Sequence, residues 1–451
     1  MPEDAAPPRS ARALAVERLL RVEGDGAFVA RLSGGDAEAA RAASDYVAGV
    51  TRQRRWLDFV LGRYARGGLA SLDPELVQVL RVGAYDLLAK GTAPHAAVNE
   101  AVETARALLH RGAAGYANAV LRAVARALRD GTLPEPDSGD RADDLAVRHS
   151  HPTWMVRRWL RAWGEDAAVR FLDATNAPPR FALRVTAGPG GVGAFEDRLR
   201  DLGAEPERSR WLDDFVTVGR LQPVLRAGLL AEGACAVQDE AAGLVVRVLD
   251  PQPGEAVLDG AAAPGGKAVY AALRMAAGAD GGGAGRVVAL DVSEAKTALV
   301  AEAARAQGVA DRVETVAADL TAWAPPRPAS FDRVLLDAPC SGTGVLSKRA
   351  DLRWNRSPED LIELAALQDR LLDAAAAHVR PGGVLVYSTC SVEPEENDDR
   401  VAAFLGRHAE FTVEPVGDLV PAPMRDGDMY RALPHVHGTD GAFAARLRRA
   451  G

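Results

Sequence analysis

Two short stretches place cysteines where a thiol could act. D-A-P-C-S, residues 337–341, follows the strand-like segment F-D-R-V-L-L, and Y-S-T-C-S-V-E-P-E-E-N, residues 387–397, follows the apolar run Val384-Leu385-Val386. A free cysteine is usually a small buried hydrophobe. Two of them, Cys340 and Cys390, at the ends of two strand-like segments and beside Asp337, suggest a nucleophilic thiolate and a second thiol acting as base. The chain has only three cysteines, Cys235 being the other. An odd, widely spaced set without C-x-x-C argues against a disulfide framework and against a zinc site, so no metal is expected.

A third stretch, L-D-G-A-A-A-P-G-G-K at 258–267, matches neither G-x-G-x-x-G nor a P-loop. Its small residues still let a ligand approach the backbone, and the first turn of the following helix offers unpaired N–H groups. A tight strand-to-helix turn would look the same. Further on, strand-like segments end at Asp259, Asp291, Asp319 and Asp337. A single Asp after a strand is usually a helix cap, whereas four at strand ends point to one crevice. Asp291 lies where an acidic residue grips ribose hydroxyls and repels a further phosphate. This favours S-adenosylmethionine, and Asp291 by itself leaves NAD open.

The elements that must carry these residues follow from periodicity. Segments 255–259, 286–291, 313–319, 331–337 and 383–389 are apolar strands separated by helical stretches, which predicts a doubly wound, mostly parallel α/β sheet of Rossmann type over 231–451. Residues 9–130 repeat apolar positions every three to four residues and predict an all-helical module spanning 1–135, with Asp73 and Pro74 opening one helix. G-T-L-P-E-P-D-S-G-D, 131–140, reads as a linker. Between them, 142–230 mixes helix and alternating strand and is taken as a small α+β subdomain.

Composition bounds the rest. At 451 residues, 48% hydrophobic and 26% charged, the chain describes a globular protein of several domains. No apolar run is long enough for a membrane span and the N-terminus lacks a signal-peptide core, so the expected location is cytoplasmic. The formal net charge is −8, yet residues 1–130 carry 18 basic against 15 acidic side chains. Only four basic residues are lysines, which an Arg-favouring composition explains.

The three motifs together resemble motifs I, IV and VI of the Sun/Nop2 family of RNA cytosine-C5 methyltransferases. R-V-G-A-Y-D-L-L, P-H-A-A-V-N-E-A-V-E and Y-A-N-A-V-L-R resemble a NusB-type RNA-binding domain, and 437–449 is similar to the family's closing strand. The resemblance implies methyl transfer from S-adenosylmethionine to a cytosine of small-subunit ribosomal RNA through a cysteine–C6 adduct. It implies that Cys390 attacks C6, that Cys340 assists loss of the C5 proton and release, and that Asp337 holds the base edge. The residues alone leave the two thiol roles interchangeable. Ala261, Ala262, Ala263, Pro264, Gly265, Gly266 and Lys267 would cradle the cofactor, with Asp291 on the ribose, Asp319 on the adenine and Lys296 adjoining. Lys267, Lys348 and Arg349 are candidates to favour a thiolate. Position 261, often Cys in the family, is Ala here, and position 268, commonly Thr, is also Ala.

An RNA-binding factor of antitermination type with a vestigial catalytic domain, and the same chemistry on transfer RNA, are the alternatives. The intact pair Cys340 and Cys390 argues against the first. Glu395 and Glu396 are read as solvated caps of the following helix, Asn397 is left open, and a monomer is the default expectation.

Overall fold

The structure is a computed structural model that describes residues 10–24, 37–186, 188, 190–277, 285–324 and 330–451. Its described residues group into two compact units. The first takes the chain through Ala177 together with Leu346–Arg356, and the second takes Pro178–Val345 and Ser357–Gly451.

The first unit is helical: α1 (Ala11–Gly24), α2 (Ala37–Tyr64), α3 (Pro74–Leu88), α4 (Pro94–Leu108), α5 (Arg111–Asp130), α6 (Arg141–Arg148), α7 (Thr153–Trp163) and α8 (Glu165–Asn176). Asp73 accepts from the Glu75 N–H and Pro74 opens α3, as the sequence predicts. The apolar stripes of α1–α5 meet in one core that includes Leu57, Leu61, Leu80, Ala101 and Leu121. The segment expected to form one α+β subdomain over 142–230 is divided. Its first three helices, α6–α8, fall in the first unit, where Arg55 on α2 donates to the His151 carbonyl at 2.7 Å and to Asp143 at 2.7 Å, and the rest falls in the second.

The same unit holds a wholly buried cation, Arg353, in the Leu346–Arg356 segment. Its guanidinium donates to the carbonyls of Ser150 at 3.1 Å and Thr175 at 3.2 Å and to Asn176 Oδ1 at 2.8 Å. Burial, the neighbouring Arg52 charge and a partly compensating Asp351 leave its pKa lowered to about 9.

The second unit begins with β1 (Phe181–Val185), α9 (Gly191–Asp201), β2 (Glu207–Arg208), β3 (Phe215–Val218), α10 (Gln222–Arg226) and β4 (Cys235–Val237). Its four strands pair antiparallel in the order β2-β3-β1-β4. Then come α11 (Glu240–Leu249), β5 (Ala256–Asp259), α12 (Gly266–Ala277), β6 (Arg286–Asp291), α13 (Glu294–Ala306), β7 (Val313–Ala317), β8 (Phe331–Asp337), α14 (Pro358–His378) and β9 (Val379–Thr389). The chain closes with α15 (Asp398–Arg407), β10 (Phe411–Val413), β11 (Arg425–Asp426), β12 (Met429–Ala432), α16 (Pro434–His437) and β13 (Ala442–Arg449).

The large sheet runs β11-β12-β13-β9-β8-β5-β6-β7, with β10 on β13. The five strands from β9 to β7 are parallel, and β13 joins β9 antiparallel. Successive side chains of a strand face opposite layers. Val257, Leu335 and Val386 therefore pack with α11–α13, while Leu258, Leu336 and Tyr387 pack with α14 and α15. Both faces being covered explains the near-continuous apolar strands of the sequence.

Candidate active site

Strands β8 and β9 are parallel neighbours with Asp337 opposite Ser388. Cys340 comes three residues after Asp337 and Cys390 two after Ser388, so pairing of the strands brings the thiols together. Their Sγ atoms are 3.2 Å apart, and both cysteines are reduced thiols, outside any disulfide, and partly exposed. The hydrogen bond to Cys390, then burial, then the charges of Cys390, Glu396 and Asp337 push the Cys340 thiol well above its ordinary value. At neutral pH Cys340 keeps its proton. The third cysteine, Cys235, sits buried in the small sheet with its pKa raised to about 12 by burial and takes no part.

Asp337 is fixed from both sides. Lys267 Nζ donates to one carboxylate oxygen at 2.6 Å and Ser388 Oγ to the other at 2.8 Å. Burial alone would lower the Lys267 pKa, but Asp337, Asp259 and Cys390 outweigh it and raise it, so Lys267 is an ammonium in the field of the Cys390 thiol. Of the three cations proposed to favour a thiolate, Lys267 is the one placed here. Lys348 and Arg349 fall in the segment grouped with the helical unit, where Arg349 lies 3.6 Å from Asp351. Burial and the Asp337 charge, partly offset by Lys267, push the Asp259 carboxyl up to about 7.

The acidic run after Cys390 is not a solvated cap, which corrects the sequence reading of Glu396. Residues Pro394–Glu396 form a 3₁₀ turn before α15, and this turn folds Glu396 inward to 0% exposure. Its carboxylate accepts from Ser341 N at 2.8 Å, Ser341 Oγ at 2.5 Å and Gln368 Nε2 at 3.0 Å. Gln368 also donates to the Pro339 carbonyl at 2.9 Å. Asn397 clasps the other turn, accepting from Thr389 Oγ1 at 2.6 Å and donating to the Ser391 carbonyl at 2.9 Å. P-E-E-N thus ties the turn carrying Cys340 to the turn carrying Cys390.

Gly344 completes the clamp. Its N–H donates to the Cys390 carbonyl at 2.9 Å, and a Cβ there would stand 2.7 Å from that oxygen. Sequence reasoning passed over Ser341, Gly344, Gln368 and Ser388, took Glu396 for a cap and left Asn397 open. The signal available was the run of small residues S-G-T-G after Cys340, which only a close backbone approach requires.

The cofactor candidates lie at the same carboxyl edge of the sheet. In the turn 260–266, Gly260 N–H donates to the Leu335 carbonyl and Ala262 N–H to the Leu290 carbonyl, each at 2.8 Å. Gly265 has φ +107, and a Cβ on it would meet Val300 at 3.0 Å. The turn is therefore a bare-backbone cradle leading into the first-turn N–H groups of α12, opened by Gly266 and Lys267. Ala261 and Ala263 are partly exposed and Pro264 exposed along it. Asp291 ends β6, accepts from Ser293 N at 3.1 Å and lies 3.9 Å from Lys296 Nζ. Asp319 departs from the expected pattern of strand-terminal carboxylates. Strand β7 stops at Ala317, and the exposed Asp319 accepts from the backbone N–H and hydroxyl of Thr321, which lower its pKa.

Comparison with known proteins adds three family matches. The sequence model described as 16S rRNA methyltransferase RsmB/F matches residues 246–448, the NusB family matches 9–126, and an RsmF/B-like ferredoxin-like domain matches 151–225. The ribosomal RNA small subunit methyltransferase B of Erwinia tasmaniensis is 34% identical over 409 residues, covering 88% of each chain. That of Xylella fastidiosa strain Temecula1 is 35% identical over 399 residues, covering 88% of this chain and 87% of its own. Among solved structures, that of the protein PH0851 aligns with a TM-score of 0.78 at 26% identity, covering 99% of this chain and all of its own. A methyltransferase homologue from Pyrococcus horikoshii gives 0.56 at 27% identity over 70% of this chain and all of its own.

Proposed function

The chain belongs to the RsmB/F family of 16S rRNA methyltransferases, and on that premise we propose that it methylates C5 of a cytosine in small-subunit ribosomal RNA through a covalent adduct to Cys390. The observation that carries the reading is the 3.2 Å pairing of Cys340 and Cys390 beside the Asp337–Lys267 pair. The relatives' names favour ribosomal over transfer RNA.

S-adenosylmethionine fits the bare turn 260–266 and the Asp291 carboxylate, and when bound it would supply an electrophilic methyl group. Gly265, Gly266 and the α12 N-terminus would hold its methionine end, Asp291 its ribose, with Lys296 adjoining and Asp319 reaching the adenine. The rest is the work of this chain's side chains on a cytosine turned out of its stack. Cys390 as thiolate adds to C6; the C5=C6 electron pair moves onto C5, which becomes nucleophilic. Asp337, immobilised by Lys267 and Ser388, has lone pairs left to accept from the exocyclic amine and orient the ring. Once C5 bears the methyl group, its proton passes to solvent water, the C5=C6 bond re-forms and the C6–S bond breaks, returning the Cys390 thiolate to the hydrogen bond of the Cys340 thiol. Cys340 assists this release. Kept as a thiol it is a poor rival nucleophile, and its proton faces the sulfur that must depart. Acting on ribosomal RNA, the enzyme would work in the cytoplasm.

The test is incubation with small-subunit RNA and S-adenosylmethionine, followed by mass-spectrometric location of 5-methylcytosine. Cys390→Ala should lose at least about 10⁴-fold in rate and form no protein–RNA adduct. Cys340→Ala should accumulate a stalled adduct. Exchange of the two phenotypes would reverse the role assignment, and full activity of both variants would sink the mechanism.

A further inference from the structure

We propose that Cys340 and Cys390 are also a peroxide-sensitive switch: hydrogen peroxide joins them in an intramolecular disulfide that stops methyl transfer, and a thiol reductant restores it. The loss of activity rests on the reading of Cys390 as the nucleophile, whereas the linkage itself does not. Redox-sensing cysteines are reachable from solvent and sit beside a second, resolving thiol. Both conditions hold here, with two partly exposed cysteines whose sulfurs already touch through a hydrogen bond. A disulfide needs its sulfurs about 2.05 Å apart, so from 3.2 Å each has roughly 0.6 Å to travel.

The backbone beside each thiol is pinned. Ser341 N–H, next to Cys340, donates to Glu396 at 2.8 Å, and the Cys390 carbonyl accepts from Gly344 N–H at 2.9 Å. Asp337 and Ser388 share a rung of β8 and β9 just before the two turns. The bond therefore closes by movement of the side chains over an intact sheet, and its reduction is equally local. Cys235 is buried in the small sheet, which removes it as a competing partner. The two thiols also differ in charge surroundings. The Lys267 ammonium stands in the field of Cys390, while the hydrogen bond to Cys390, burial and the nearby Glu396 and Asp337 charges keep the proton on Cys340. Cys390 is thus the sulfur that meets peroxide, and Cys340 the one that resolves.

Cys390 as thiolate attacks one oxygen of hydrogen peroxide: an S–O bond forms, the O–O bond breaks and hydroxide leaves. Its sulfur has given two electrons to the peroxide and is now a sulfenic acid. The hydroxide takes the Cys340 proton to become water, and the freed Cys340 sulfur attacks Cys390 Sγ. The S–S bond forms, the S–O bond breaks and a second hydroxide leaves. A cytosine adduct and the disulfide compete for the same sulfur, so enzyme already bonded to RNA through Cys390 is protected, and the switch acts on enzyme that is not engaged.

The experiment treats the reduced full chain, without RNA or S-adenosylmethionine, with a small excess of hydrogen peroxide, blocks remaining thiols by alkylation and reads intact mass and peptide maps. Wild type and Cys235→Ser should both lose about 2 Da, the two thiol hydrogens, and yield a linked peptide containing Cys340 and Cys390. Cys340→Ser should stop at a sulfenic acid that dimedone traps on Cys390. Methylation by the oxidised wild type should fall at least about tenfold and return with dithiothreitol. Dimedone labelling of Cys390 in wild type without the linked peptide would overturn the proposal, as would linkage only between molecules, full methylation by the linked protein, or activity that dithiothreitol does not restore. The linkage is read apart from methylation: a linked peptide with no 5-methylcytosine from reduced wild type leaves the modification standing and removes the cytosine reading, and 5-methylcytosine without the linked peptide removes the switch.

Discussion

Arg353 in the helical unit and Glu396 in the catalytic unit are both 0% exposed, both charged in ordinary chemistry, and neither makes an ion pair among the described residues. Each is held by neutral groups, carbonyls around the cation and N–H and O–H donors around the anion. Arg353 gathers separate segments of the unit: the carbonyls of Arg52, Ser150, Thr175 and Leu346 all accept from it. Glu396 gathers the two turns that carry Cys340 and Cys390. The same physical device serves stability in one place and positioning in the other, and only what surrounds it tells them apart.

Substitutions can break that comparison. Arg353→Ala should cost the most, about 3–5 kcal/mol of unfolding free energy by chemical denaturation, because several buried carbonyls lose their donor together. Methylation per folded molecule should hold; a fall in kcat without a fall in stability would erase the contrast. Glu396→Ala should act the other way, lowering the rate about 10²-fold through misplaced thiols. Glu396→Gln sharpens the point: removing the charge should lower the pH at which Cys340 is half-maximally alkylated in a Cys390→Ser background, relative to the same background with Glu396 intact. No movement of that profile would show that Glu396 shapes the turns without setting the thiol's proton.

The smallest effect concerns Asp259, whose pKa burial and the Asp337 charge raise to about 7 from the ordinary carboxyl value of 3.8. A raised carboxyl pKa means the native state holds the proton longer than the unfolded chain does. Its contribution to stability is therefore present below about pH 4, is lost as pH rises through 7, and changes little beyond. Asp259→Asn should raise the melting temperature at pH 8 by a few degrees and leave it nearly unchanged at pH 4. An equal change at both values would contradict the buried-carboxyl account.

Much of this was legible in the sequence for physical reasons. Strands β5, β6, β8 and β9 carry apolar runs on both faces because helices cover both, and their ends located Asp337, Cys340 and Cys390. The helices of the first unit declared themselves by period, and the Asp73–Pro74 start by cap chemistry. Glu396 was not legible. An acid just before an amphipathic helix looks like a cap, and its inward turn depends on Ser341 and Gln368, which are 55 and 28 residues away. The local setting of Asp319 was not legible either, since β7 stops two residues before it and Thr321 donates to its carboxylate. The placement of Leu346–Arg356 with the helical unit likewise rests on contacts such as Trp354 Nε1 to the Thr51 carbonyl at 2.7 Å, across 303 residues.

The pairing of Asp337 with Ser388 also sets a rule for how such a chain can vary. The distance between the thiols is counted out by two short steps of backbone, three residues from Asp337 and two from Ser388, each measured from the same rung of the ladder. Between those steps the chain can lengthen, recruit a segment for another unit, or change composition, and the reaction keeps its gauge. A single residue inserted into either step would throw the thiols out of phase without disturbing the core beneath them. Insertions and deletions, more than substitutions, are what this centre is built to refuse.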